Sequence, residues 1–393
     1  MKPLHGVTVL DLSRVLAGPY AAMMLADYGA DVIKIEAPNG DDSRAFGPFV
    51  AGESTYFMSL NRGKRGMVLN LKDAAHVDVF KQLVVQADVV VENYRPGTMD
   101  RLGIGYDVLN ELNPRLVYAQ CSGFGDTGPY RLKPAYDVVV QAMGGIMSIT
   151  GPEGGQPTRI GASLGDIIAG MFTAFGIVTA LRAREASGKG QRVDVGMLDC
   201  QVAVLENAIA RYVATGNVPG PIGNRHPSIT PFSAFPTTDG HVIVGAGNDK
   251  LWGELCALIG LPQLVDDPRF ADNGLRTEHV EHLTPLLNAA FATRTTNEWL
   301  SMLTKAGLPC APINTVDKVI TDPQIIARDM IVEVDHPAAG VTQMPGVPVK
   351  FSQTPGGIDR AAPILGEHTS EILRELLGWD DNQIAQFGAT TAH

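Results

Sequence analysis

The sequence predicts an α/β protein, a parallel sheet doubly wound with helices on both faces and joined to a smaller second unit. Three observations carry the expectation. Short apolar runs alternate with helical patterns over the first 120 residues, and those runs are unbroken Val/Ile/Leu stretches rather than apolar–polar alternations. The 393 residues are 45% hydrophobic and 19% charged, ample for a large core. Strands separated by helices imply crossovers, and strands apolar on both faces suit a parallel sheet covered on both sides.

The first strand is Val7-Thr8-Val9-Leu10-Asp11-Leu12, followed by an Ala/Met/Leu-rich helical segment over 19–28. Asp31-Val32-Ile33-Lys34-Ile35-Glu36 is the second strand, and runs at 67–71, 87–91 and 115–119 supply the next three. Ligands of such sheets bind beyond the carboxyl ends of the strands, so the turns after these runs are where chemistry is expected. Helical segments follow near 136–146, 165–186 and 197–214. The uncharged stretch 167–181 has 15 residues, short of the roughly 20 that span a bilayer, and reads as a buried helix. A Gly/Pro-rich connection over 215–224 breaks the pattern. Strands at 229–235 and 241–245 and helices at 249–259, 276–292 and 297–306 make the smaller unit, and a breaker-rich stretch over 337–348 precedes a helix at 366–377. The expected division is a large domain over 1–214, a linker over 215–228, a small domain over 229–330, and a linker with return to the large domain over 331–393.

Charge narrows the partners. With 31 basic against 42 acidic residues the net charge is −11, which argues against nucleic acid and requires any anionic ligand to find local cations. Cys121, Cys200, Cys256 and Cys310 lie far apart without a CxxC pair, so reduced thiols, a cytoplasmic setting and no metal site are expected. Met1-Lys2-Pro3-Leu4-His5 leads straight into a strand pattern, with no targeting peptide expected, and no membrane association.

Several motifs fail. The first turn, Leu12-Ser13-Arg14-Val15-Leu16-Ala17-Gly18-Pro19, has one glycine and then proline, not the GxGxxG of a dinucleotide site, and no GxxxxGK(S/T) phosphate loop occurs. His279 and His282 read as a helix surface, and Cys121 as a small core residue. Two features stand out instead. Gly161-Ala162-Ser163-Leu164-Gly165-Asp166-Ile167 sets a carboxylate at the head of a charge-free helix. Asp166 is there either a helix cap or an active-site group, whose flanking glycines would let substrate approach and expose N–H groups to an oxyanion. A second cluster, Asn61-Arg62-Gly63-Lys64-Arg65, Lys72, and Glu92-Asn93-Tyr94-Arg95-Pro96-Gly97 leading to Arg101, places cations and polar groups at strand ends, with Asn93, Tyr94 and Arg101 expected to face the crevice, either as solvated turns or as a phosphate site.

At these residues the chain resembles the family III CoA-transferases, the group of formyl-CoA transferase, carnitine CoA-transferase and the α-methylacyl-CoA racemases. The resemblance spans essentially the whole chain. It is carried by Val9-Leu10-Asp11-Leu12-Ser13-Arg14-Val15-Leu16-Ala17-Gly18-Pro19, Ala30-Asp31-Val32-Ile33-Lys34-Ile35-Glu36, Val91-Glu92-Asn93-Tyr94-Arg95-Pro96-Gly97, Leu164-Gly165-Asp166, Ser228-Ile229-Thr230-Pro231-Phe232, Val244-Gly245-Ala246-Gly247-Asn248 and Leu365-Gly366-Glu367-His368-Thr369. The succinyl-CoA:glutarate (dicarboxylate) branch is the most similar.

The resemblance implies a Rossmann-like large domain built from both chain ends, a smaller α/β domain, and an interlocked homodimer. It implies CoA transfer from an acyl-CoA thioester to a free acid, with no tightly bound cofactor and the CoA thioester as substrate. Asp166 takes the nucleophile's position, giving aspartyl anhydride and aspartyl-CoA thioester intermediates. CoA contacts fall on Val15, Leu69, Lys72, Asn93, Tyr94, Arg101, Lys133 and Tyr136. Ala37-Pro38 replaces an arginine of some members, and Gly223-Asn224-Arg225-His226 is shorter than the multi-glycine loop of formyl-CoA transferase. The rival readings are a racemase, whose second base would be a histidine where Tyr136 stands, and a non-catalytic CoA-binding subunit. For the distal carboxylate of a dicarboxylate substrate, Arg44 and Arg225 are candidates by charge.

Overall fold

The structure, a computed structural model, describes residues 1–391. Its main sheet consists of β1 (Thr8–Asp11), β2 (Asp31–Glu36), β3 (Lys64–Val68), β4 (Val89–Glu92), β5 (Val117–Ser122) and β6 (Arg192–Gly196). All pair in parallel, in the spatial order 3-2-1-4-5-6. The order reverses between β1 and β4, and the turns that leave these two neighbouring strands at their carboxyl ends open a crevice there.

The helices of this part are α1 (Ala17–Asp27), α2 (Thr55–Asn61), α3 (Ala74–Gln86), α4 (Thr98–Arg101), α5 (Tyr106–Leu112), α6 (Asp137–Met143), α7 (Leu164–Ser187) and α8 (Met197–Ala203). Strand alternation sends Val9, Val32, Val89, Val91, Val117 and Ala119 to one face, against Ala22 and Leu25 of α1 and Ile177 and Leu181 of α7. Leu10, Ile33, Met67, Val90 and Tyr118 face the other way, onto Val79, Phe80 and Leu83 of α3, Leu109 of α5, and Ile372 and Leu373 of a helix at Thr369–Leu377. Burying each such aliphatic side chain contributes about 1.5–3 kcal/mol. The C-terminal helix is tied to β3 by Arg65, which meets Glu371 and Glu375 at 2.9 and 2.7 Å.

Contacts divide the chain into two units, one of residues 1–146, 160–210 and 323 onward, the other of 147–159 and 211–322. The smaller unit has an antiparallel sheet of β7 (Phe232–Pro236), β8 (His241–Gly245) and β9 (Cys310–Pro312), with β8 in the middle. Its core gathers Phe235, Trp252, Phe270, Phe291 and Trp299, and the Trp299 indole N–H donates to the Phe291 carbonyl at 2.7 Å.

The elements depart from the sequence expectation where charge hides a strand. The third strand runs 64–68 rather than 67–71 because it starts on Lys64 and Arg65, both buried and ion-paired. The sixth strand, Arg192-Val193-Asp194-Val195-Gly196, alternates charged and apolar residues at the sheet's edge and went unread. The segment 197–214 is two helices, α8 and Ala208–Thr215, separated where Glu206 takes a left-handed φ of 53°. The breaker-rich 337–348 hides a hairpin, Ile331–His336 with Gly340–Pro345.

The helix expected to be buried is α7, 24 residues long and only half-covered. By length and composition it is apolar enough to cross a membrane. Ala169, Gly170, Thr173, Ala174 and Ile177 are buried, while Met171, Phe172, Phe175 and Val178 on the other side are exposed. Lack of charge therefore marks two apolar faces here, one of them uncovered in the single chain.

Candidate active site

The site grows from the turn that leaves β1. Asp11, Lys34, Asp41 and Lys64 have fully buried side chains beneath it. Lys64 donates to Asp11 at 2.8 Å, to the Pro19 carbonyl at 3.0 Å and to Asn61 at 3.0 Å. Lys34 donates to Asp41 at 2.8 Å and to the Ser13 carbonyl. Burial lowers the Lys64 pKa to about 8, with Asp11 opposing. Burial also works against the charge on Lys34, but Asp11, Asp41 and Glu36 outweigh it and hold its pKa above the usual value. Asp41 is brought down to about 2 against its burial by Lys34 and the Ser43 hydrogen bonds.

Above this network the turn is fixed group by group. The Ser13 N–H donates to Asp11 at 3.0 Å, and Asn93 exchanges two bonds with Arg14, accepting its N–H at 2.7 Å and donating to its carbonyl at 2.8 Å. Gly18 must be glycine, since a Cβ there would lie 2.2 Å from Ser13 Cβ. Asn93 itself follows β4, whose buried Glu92 accepts the Tyr94 N–H at 2.7 Å and the Tyr118 hydroxyl at 3.2 Å. Burial pushes the Glu92 carboxyl up to about 7.

These turns border a cavity of about 270 Å³ lined by Val15, Asn93, Tyr94, Lys133, Tyr136 and Asp166 together. An adjoining cavity of about 380 Å³ shares Arg14 and Tyr94 with it and adds Leu69 and Lys72. Eight of the nine residues singled out by the resemblance thus line one or the other of two cavities that share Arg14 and Tyr94. Arg101 lines neither; it is exposed on α4 and donates to Thr98, which does line the second cavity.

Three further arginines, Arg14, Arg95 and Arg131, are on the first cavity's wall; the sequence placed Arg95 in the cationic cluster without aiming it at the crevice, and assigned Arg14 and Arg131 no role. Arg14 stands 5.3 Å from the Tyr94 ring centroid and 3.2 Å from Asp42. The positions of Arg14 and Arg95 just past strand ends signalled them; Arg131 looks like any solvated turn arginine. Burial, and then the charges of Asp166, Asp41 and Asp137, push the Tyr56 phenol up to about 12.

Asp166 is the third residue of α7, in the first turn, where the helix dipole favours a carboxylate. The cap comes from another helix: Asp137 of α6 accepts the Gly165 N–H at 2.8 Å and is gripped by Gln141 at 2.9 and 3.0 Å. This corrects two expectations. A Cβ on Gly165 would lie 2.6 Å from Val140 and 3.0 Å from Asp137, so that glycine serves helix packing, not substrate approach. The amides flanking Asp166 are also taken, Gly165 by Asp137 and Ile167 by the Ser163 carbonyl at 2.9 Å, so neither is free to receive an oxyanion.

Arg44 is removed as a substrate partner. It makes a bidentate pair with Glu36 at 2.7 and 2.7 Å, donates to the Pro363 carbonyl at 3.0 Å and lies 3.6 Å over the Phe57 ring. Arg225 meets Glu153 at 2.9 Å and lines a separate cavity of about 220 Å³ in the smaller unit. Burial raises the Cys121 thiol to about 12, which keeps it from acting as a thiolate. Among the described residues no group of three or more His, Cys, Asp or Glu is placed to hold a metal.

A cleft that joins a carboxylate at a helix head to a cationic, partly apolar groove suits covalent work on an acyl group carried by a long anionic ligand. Comparison with known proteins points the same way. The model of CoA-transferase family III matches residues 4–369. The chain is 40% identical over 388 residues to the succinyl-CoA:glutarate CoA-transferase of Homo sapiens, covering 98% of this chain and 89% of that protein. It is 45% identical over 376 residues to the acetyl-CoA:oxalate CoA-transferase of Acetobacter aceti, covering 95% of each. The solved structure of a CAIB/BAIF family protein from Brucella suis superposes with a TM-score of 0.86 at 39% identity, over 95% of this chain and 99% of that one.

Proposed function

The chain belongs to CoA-transferase family III, and from that premise we propose that it moves CoA from succinyl-CoA or a similar thioester to a short dicarboxylic acid through covalent intermediates on Asp166. The observation that carries the reading is the placement of Asp166 on one cavity wall with Val15, Tyr94, Lys133 and Tyr136. Oxalate and glutarate, in the names of two relatives, are both dicarboxylic acids, which supports that acceptor class.

In the proposed reaction an Asp166 oxygen attacks the thioester carbonyl carbon, the C–S bond breaks, and CoA leaves as thiolate. A mixed anhydride remains. The thiolate attacks the aspartyl carbonyl, releasing the donor acid and forming an aspartyl-CoA thioester. The acceptor carboxylate attacks that thioester, freeing the thiolate and forming a second anhydride. Return of the thiolate to the acceptor's carbonyl yields the new acyl-CoA and restores Asp166. No bond is oxidised or reduced, so the protein's task is to position the partners and exclude water from the anhydrides.

The CoA moiety would lie along the paired cavities, its phosphates near Lys72, Lys133, Arg14, Arg95 and Arg131. Arg101, beside Thr98, would reach the outer part of the same ligand. Two-base racemisation has less support, because no histidine is among the described residues lining the cavity of Asp166. We read the sheet as Rossmann-like on its 3-2-1-4-5-6 order, and the protein as a cytoplasmic, interlocked homodimer, on the apolar face that α7 leaves uncovered and on its free cysteines.

The test is to incubate the protein with succinyl-CoA and a panel of dicarboxylic acids and follow acyl-CoA exchange by mass spectrometry. Wild type should exchange and Asp166→Ala should lose at least about a thousandfold of that rate, as removal of a covalent nucleophile does. Undiminished exchange in Asp166→Ala would sink the mechanism.

A further inference from the structure

The turn after β1 contains a β-branched residue, Val15, at a left-handed φ of 67°. Side chains adopt that conformation only where their surroundings over-determine it, and such residues gather at ligand sites. The surroundings here are explicit. Both oxygens of Asp41 accept the Val15 N–H, at 3.2 and 3.3 Å. Asp41 is itself braced by Lys34 at 2.8 Å and by the Ser43 N–H and hydroxyl at 2.9 and 2.8 Å, while Lys34 also donates to the Ser13 carbonyl. Asn93 holds the intervening Arg14 peptide from the other side.

A buried ion pair is weak evidence for stability, because desolvation consumes most of the Coulomb gain. The Lys34–Asp41 pair has fully buried side chains, yet its bonds run to the backbone of a turn whose next residues line the cavity. We propose that Asp41, braced by Lys34, is a positioning residue for the acyl-CoA substrate: it locks Val15 in the strained conformation that presents Arg14 and Val15 to the cleft. The inference rests on the reading that CoA occupies that cleft.

The test combines kinetics with a double-substitution cycle. Asp41→Ala should raise KM for the acyl-CoA donor about tenfold, with a smaller fall in kcat and a smaller change in KM for the acid. Val15→Gly alone should melt about 2 °C above wild type, because glycine takes a positive φ without strain. In the Val15→Gly background, Asp41→Ala should raise the donor KM only about twofold, since the turn no longer needs to be forced. A folded Asp41→Ala protein with the wild-type donor KM, or an equal effect in both backgrounds, would overturn the inference. If Asp41→Ala does not fold, Val15→Gly melting at or below wild type overturns it instead. Lys72→Ala and Tyr94→Ala separate the two readings. If they too leave the donor KM unchanged, the CoA placement is wrong; if they raise it and Asp41→Ala does not, only the role of Asp41 is lost.

Discussion

Glu92 links protonation to the cleft, since its carboxyl holds the Tyr94 N–H and the Tyr118 hydroxyl from inside the protein. Burial raises its pKa from 4.5 to about 7, with Tyr94, Tyr118 and Arg192 pulling down and Asp100 pushing up. The folded chain binds this proton more tightly than the unfolded chain. Its stabilising contribution is therefore complete below about pH 4.5 and is lost as the pH rises through 7. Glu92→Gln should flatten the fall in stability across that window by about 3 kcal/mol at most, measured by urea unfolding at a series of pH values. An unchanged slope would show that Glu92 does not titrate there. At this scale the sequence was legible where a residue sits in a distinctive setting, as Asp166 does between glycines. Arg131 carries no local mark that separates a cavity wall from a solvated turn. Lys34 read only as part of the second strand and Lys64 as one of a cationic cluster at a strand end, because their partners, Asp41 and Asp11, are brought to them only by folding.

At the scale of elements, the head of α7 depends on α6. Gly165 lets Val140 and Asp137 approach, and Asp137 closes the open N–H. Gly165→Ala should cost about 2 kcal/mol by overpacking and lower exchange activity as well, because Asp166 is the next residue. Thermal unfolding and the exchange assay check both; an unperturbed variant would contradict the packing argument. Apolar strands such as β2 were readable from one sequence, and so was the start of α7. The edge strand β6 was not, because Arg192 and Asp194 give it the look of a solvated loop while Arg192 is paired with Asp126 at 2.9 Å. Gly165 was visible beside Asp166, but its purpose was not, since it depends on a helix about 25 residues earlier.

For the whole molecule, a net charge of −11 opposes an anionic ligand everywhere except where cations gather. The wall of the Asp166 cavity gathers Arg14, Arg95, Arg131 and Lys133 against the carboxylates of Asp42 and Asp166. The uncovered face of α7 belongs to the same scale. Phe175, 70% exposed, lies on it, and Phe175→Asp should shift the proposed dimer to monomer in light scattering, while an unaltered mass would place the interface elsewhere. The central claim is that Asp166 becomes covalently acylated in each cycle. It is tested most directly by running turnover with an acceptor acid whose carboxylates carry heavy oxygen and then weighing the peptide that contains Asp166. The second anhydride must collapse with one acceptor oxygen left on the aspartate, so the peptide should carry one heavy oxygen after a single turnover and approach two, its maximum, over many. A fully active enzyme whose Asp166 peptide stays unlabelled would contradict the account.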